Sequence, residues 1–162
     1  MPISDRLWFA HTKFTDAGAS ALSNLTQLKR CGIGSADKAS SGGVVAALAK
    51  LPLEDLSLLD NQATPEGLAH AAKIATLRRV DASHAPTVKD DSLPLIAQLP
   101  NREEFKLGSA PVTDDGLQSL AASKSLKKLT LSGLMNFMPV TSRQVATSVS
   151  SMGCPQWVIE AP

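Results

Sequence analysis

Val112-Thr113-Asp114-Asp115-Gly116-Leu117-Gln118-Ser119-Leu120, followed shortly by Leu126-Lys127-Lys128-Leu129-Thr130-Leu131, makes one complete structural unit. The first segment reads as a helix start: threonine and aspartates lead into Leu117 and Leu120 at helical spacing. The second reads as a strand of the form Leu-x-x-Leu-x-Leu, half of it buried.

The unit recurs along the chain. Helix starts marked by a small or polar residue and an apolar one fall at Gly18, Gly43, Gly67, Ser92, Gly116 and Gln144, spaced 25, 24, 25, 24 and 28 residues. Strand starts fall independently at Leu28, Leu53, Leu77, Arg102 and Leu126, spaced 25, 24, 25 and 24. Two separate markers with one period define an internal repeat, and no single unit can bury its own apolar face without neighbours.

The predicted strands lie near 7–11, 28–33, 53–58, 77–82, 102–107, 126–131 and 156–159. Thr64-Pro65-Glu66-Gly67-Leu68 carries a threonine N-cap, a proline at the first helical position and an early glutamate. The second unit is the least regular, its Gly34–Gly43 loop having lost the Thr-Asp pair, and Arg102 replaces the leading leucine of the fifth strand. Thr141 with Gln144 offers a capping pair for a last helix, polar at Ser148, Ser150 and Ser151. Crossovers of about twenty residues between strands predict a parallel sheet.

These strands, with their Val-Thr-Asp-x-Gly-Leu helix starts, resemble leucine-rich-repeat proteins. The ribonuclease-inhibitor-like and cysteine-containing classes, and the bacterial repeats with Thr-Asp-x-Gly-Leu, are the most similar. The resemblance spans about Leu7 to Ile159 in a single domain. It implies an α/β, right-handed solenoid of about six 24–25-residue units, with the parallel sheet on the concave face and helices on the convex one. For function it implies non-catalytic recognition of a protein partner through that face. The asparagine usual after the strand occurs only as Asn61, and capping domains are missing. Uncapped ends supply the alternative, a structural or self-associating segment of a larger assembly.

Composition narrows the partners. The 162 residues are 43% hydrophobic and 19% charged, with net charge +1, 4% aromatics and no tyrosine. Such a chain has neither the electrostatic footprint nor the stacking surface that nucleic acid requires. No apolar run approaches the roughly 18 residues of a membrane span. Met1 to Arg6 carries no apolar leader core, so a cytoplasmic setting is expected.

Catalytic and metal-binding motifs are not evident. His11 and His84 occupy equivalent positions three units apart, roughly 14 Å at about 4.8 Å per strand, too far for one metal. His70 falls on a helix. Cys31 takes the place of a buried leucine, and Cys154 would lie roughly 24 Å away, beyond disulfide reach. Gly32-Ile33-Gly34-Ser35 and Ser40-Ser41-Gly42-Gly43 match neither the P-loop nor the Gly-x-Gly-x-x-Gly pattern. Neither an enzymatic activity nor a cofactor is expected.

The outward strand positions are more informative. Alternation predicts one exposed row of Arg6, Arg30, Asp55, Arg79, Glu104, Lys128 and Gln156, and a second of Trp8, Ser57, Asp81, Lys106 and Thr130. From Arg30 to Lys128 the first row alternates in sign, so lateral neighbours can pair. The candidate partner-binding residues are Arg6, Trp8, Arg30, Asp55, Arg79, Asp81, Glu104, Lys106 and Lys128. The apolar insertion Leu134–Pro139 reads as a cap over the last unit, with a partner-binding loop as the alternative.

Overall fold

The computed structural model describes residues 5–11, 13, 16–35, 41–60, 63–98, 101, 103–121, 123, 125–134, 145–149 and 155–160, the last two stretches as backbone. Strands and helices alternate: β1 (Arg6–Ala10), α1 (Asp16–Leu22), β2 (Arg30–Gly34), α2 (Ser41–Leu48), β3 (Asp55–Leu59), α3 (Pro65–Ala71) and β4 (Arg79–Ala82). A 3-10 turn at Asp90–Ser92 leads into α4 (Leu93–Ala97), and β5 (Glu104–Gly108), α5 (Asp114–Ala121) and β6 (Lys128–Ser132) follow. The chain then forms β7 (Val145–Val149) and β8 (Pro155–Glu160).

All eight strands join one sheet in the order β1-β2-β3-β4-β5-β6-β8-β7. β1 to β6 pair in parallel with sequential neighbours. The helices pack on one another in the same order, α1 on α2 through α4 on α5. Between the two layers lies the core. Cys31, Leu56, Val80, Phe105 and Leu129 enter it from one strand row, and Ile33, Leu58, Ala82, Leu107 and Leu131 from the next. Val44, Leu48, Leu68, Leu93, Ile96 and Leu120 meet them from the helices.

Strand entry is built the same way in each unit. The carbonyls of Asp5, Lys29, Glu54, Arg78 and Glu103 each accept two consecutive N–H groups from the next strand, as in Arg78 N–H (2.8 Å) and Arg79 N–H (3.0 Å) on Glu54. The ladder therefore starts two residues after each leading leucine. Leu28, Leu53 and Leu77 still belong to the preceding turn, their N–H groups bonded to Leu25, Leu51 and Ile74.

Strand exit is equally regular. His11, Ser35, Asp60, His84 and Ser109 have φ between 40° and 59°, and Gly133 has 60°. One left-handed residue thus follows each parallel strand directly or at one remove. Side chains in this conformation cost roughly 1–2 kcal/mol each. The equivalence of His11 and His84 is therefore a backbone feature, the turn that sends the chain from strand to helix.

The end of the chain departs from the predicted pattern. Residues 145–149 form a strand where a last helix was predicted, and the final strand, predicted near 156–159, runs antiparallel to both β6 and β7. Val145, Thr147 and Val149 are β-branched at alternate positions, which favours extended backbone. The few residues between β7 and β8 suffice for an antiparallel return but not for the crossover that a parallel pair needs. Leu134, first residue of the apolar insertion, is buried against the core. Phe14, Thr15, Asn61, Leu99, Arg102, the insertion from Met135 to Pro139, the Thr141–Gln144 pair and Cys154 lie outside the described residues.

Candidate functional site

The sheet face turned away from the helices presents the outward rows. Pairing sets Arg6, Arg30, Asp55, Arg79, Glu104 and Lys128 side by side on six strands. The row does not continue into Gln156. Because β8 is antiparallel, Glu160 stands opposite Lys128, and Gln156 falls opposite Ser132.

Along this row the charges are mostly paired. Arg79 grips Asp55 with both arms of its fork, Nε on Oδ1 and a terminal nitrogen on Oδ2 at 2.9 Å. That hydrogen bond holds the Arg79 guanidinium above its ordinary pKa. Lys128 Nζ lies 3.6 Å from Glu104. Arg30 Nε approaches Asp55 Oδ2 at 3.3 Å, yet this buried nitrogen makes no hydrogen bond. The Arg79 fork already occupies both carboxylate oxygens.

A second charged row, absent from the sequence-based candidates, runs one residue earlier. Lys29 pairs with Glu54 at 3.2 Å, and Glu103 takes both Arg78 (3.5 Å) and Lys127 (3.2 Å). Its signature was present in the sequence as the alternating signs of Asp5, Lys29, Glu54, Arg78, Glu103 and Lys127. Alternation from the buried leucines marks only the positions within the strands, and this row stands just before them. Exposed pairs of this kind contribute about 0–1 kcal/mol each.

The next outward row reads Trp8, Gly32, Ser57, Asp81, Lys106 and Thr130 across the same strands. Lys106 Nζ lies 3.6 Å from Asp81, whose other oxygen accepts from the Ser83 backbone (3.1 Å) and hydroxyl (2.6 Å). Thr130 is buried. The Trp8 indole lies across Gly32, where a side-chain carbon would overlap the ring. Between the indole and Asp81, where the row carries the small Ser57, lies a shallow depression of about 230 Å³. Trp8, Arg30, Asp55, Arg79, Asp81, Glu104 and Lys106 border it, above Cys31, Leu56, Ser57 and Val80.

Seven of the nine candidate residues thus converge on one hollow, with Arg6 and Lys128 flanking it on the row. Gly32 lets the indole lie flat beside the hollow and is the residue that sequence reasoning missed. A missing side chain beside a tryptophan becomes legible only once the register is known. Cys31 is 2% exposed, and burial pushes its thiol up to about 12. Such a thiol stays protonated and is a poor nucleophile.

The chemistry on offer is contact: an exposed indole, guanidinium and ammonium donors, and three carboxylates. Among the described residues no three His, Cys, Asp or Glu side chains converge as a metal site would require, and no helix is long and apolar enough to cross a membrane. Set against known proteins, the sequence matches no protein-family model and no curated protein.

Proposed function

We propose that this chain is a short leucine-rich-repeat solenoid that recognises a protein partner, without catalysis, through the open face of its sheet. The period of 24–25 residues and the six parallel strands alternating with helices support the fold reading. One observation carries the functional reading: the face holds a hollow beside an indole that is 65% exposed. Among the described residues only Trp8 and Leu95 are large apolar side chains left exposed. Tryptophan is a frequent anchor at interfaces, and a mixed-charge rim around an apolar anchor suits a peptide chain better than a polyanion.

The test is cross-linking of bound protein from native cell extract to the parent and to the double variant Arg79→Glu with Lys106→Glu. A partner that cross-links to the open face and is lost by a still-folded variant upholds the reading. One retained equally by both moves the site to the helices or the ends.

A second reading, self-association end to end, draws on one observation: among the described residues β1 sits at the edge of the sheet and pairs only with β2. An edge strand offers its backbone to another chain. Mass measured across a concentration series separates the two, since only the second predicts growth with concentration.

A further inference from the structure

We infer that the open face takes an extended segment of a protein partner in which one carboxylate side chain stands beside one large apolar side chain. The carboxylate would meet Arg30 and the apolar group would fill the hollow against Trp8. This inference rests on the docking reading above and names the chemistry of the occupant.

The charge count along the face is uneven. Asp81 and Glu104 each have one cation in the strand rows, Lys106 and Lys128. Asp55 has two, Arg30 and Arg79, as Glu103 has in the earlier row, but of these two carboxylates only Asp55 borders the hollow. The surplus falls at Arg30, beside the hollow, and Arg6 stands directly opposite Arg30 in the register with the same sign. Arg30 also carries the buried Nε without a hydrogen bond. That nitrogen faces Asp55, but 38% of the Arg30 side chain is exposed, so an incoming carboxylate can meet the guanidinium from the open side. Guanidinium forks match carboxylate geometry in particular.

The occupant must also cover the exposed indole. A small free anion would satisfy Arg30 and leave Trp8 wet. A run of negative charge, as in nucleic acid, would meet Asp55, Asp81 and Glu104 on the same face. A segment with one acid and one apolar side chain satisfies both halves and meets none of that repulsion. The Arg30 and Trp8 positions lie on adjacent strands in neighbouring outward rows, so side chains close together on one peptide reach both.

A displayed random-peptide library, panned on the intact protein, tests this. Variants Arg30→Gln and Ser57→Phe serve as counter-targets; the second plugs the hollow from an outward position. Enriched sequences should carry Asp or Glu next to, or one residue from, Leu, Ile, Phe or Trp. A peptide made from that consensus should bind the parent at least about tenfold more tightly than either variant, the loss expected for one charge-assisted hydrogen bond. Enrichment of basic or uncharged sequences that Ser57→Phe still excludes would overturn the inference and leave the docking reading standing. Enrichment indifferent to Ser57→Phe, or no enrichment, would overturn both.

Discussion

Asp90 and Thr113 come from neighbouring units and are joined twice: Thr113 donates its backbone N–H to Asp90 Oδ1 at 2.8 Å and its hydroxyl to Oδ2 at 2.7 Å. The carboxylate of one unit thereby satisfies a backbone donor at the start of the next unit's helix. Gly116 makes room for it, since a side-chain carbon there would overlap the carboxylate. Asp90→Ala should therefore lower stability by about 0.5–2 kcal/mol, as loss of a cap does. Gly116→Ala, normally favourable in a helix, should cost about 1–3 kcal/mol from overpacking. In the double variant the two losses should add only in part, because alanine at 116 then meets the Cβ at 90 and no longer a carboxylate. Denaturant midpoints for the four proteins decide it; additive losses would break the proposed clasp.

The inside and outside of the sheet are separable by substitution. Leu56 and Leu129 are 2% and 7% exposed, and each alanine replacement should cost about 2–5 kcal/mol through the cavity left behind. Asp81 points outward to Lys106 and Ser83, so Asp81→Ala should cost only about 1 kcal/mol. Urea unfolding that ranked Asp81→Ala above Leu129→Ala would reverse the two faces.

Much of this organisation was legible beforehand. The lateral order of Arg6 through Lys128 followed from the period of the leucines alone, because strand alternation fixes which side chains share a face. The hairpin was not. Continuing the repeat predicts a helix through Val145-Ala146-Thr147-Ser148-Val149, whereas β-branched residues at alternate positions favour a strand. The Asp90 clasp was also hidden. Thr113 belongs to the helix start in the sequence, and a bond to a residue one unit back has no local signature.

Cys31 gives the chain an alkaline liability. Burial raises its thiol from 9.0 to about 12, so the folded form holds a proton that the unfolded chain releases earlier. The associated stability is fully present below pH 9.0 and is lost as pH rises toward about 12. In a Cys154→Ser background, stability over that window should fall more steeply with Cys31 than with Cys31→Val. Equal slopes would mean that the thiol is exposed. Native Cys31 should also resist alkylation at neutral pH until the protein is unfolded.

Ser109 occupies the left-handed exit position that Gly133 fills in the next unit. Ser109→Gly should raise stability by about 0.5–1 kcal/mol, and Gly133→Ala should lower it by about 1 kcal/mol. The backbone bond from Ser109 N–H to the Ser132 carbonyl, 2.9 Å, is untouched by the first change. Thermal midpoints moving the opposite way would place the strain elsewhere.

The two charged rows also act as a parity check on assembly. From β2 onward, signs repeat on every second strand: Lys29 and Arg30 match Arg78 and Arg79, and Glu54 and Asp55 match Glu103 and Glu104. If β2 skipped its neighbour and paired with β4, or β3 with β5, both rows would set like charges side by side, each contact unfavourable where the correct one attracts. A chain of near-identical units is prone to mispairing by one unit. Among β2 to β6 every such slip is repelled twice, whereas a slip by two would pass unnoticed.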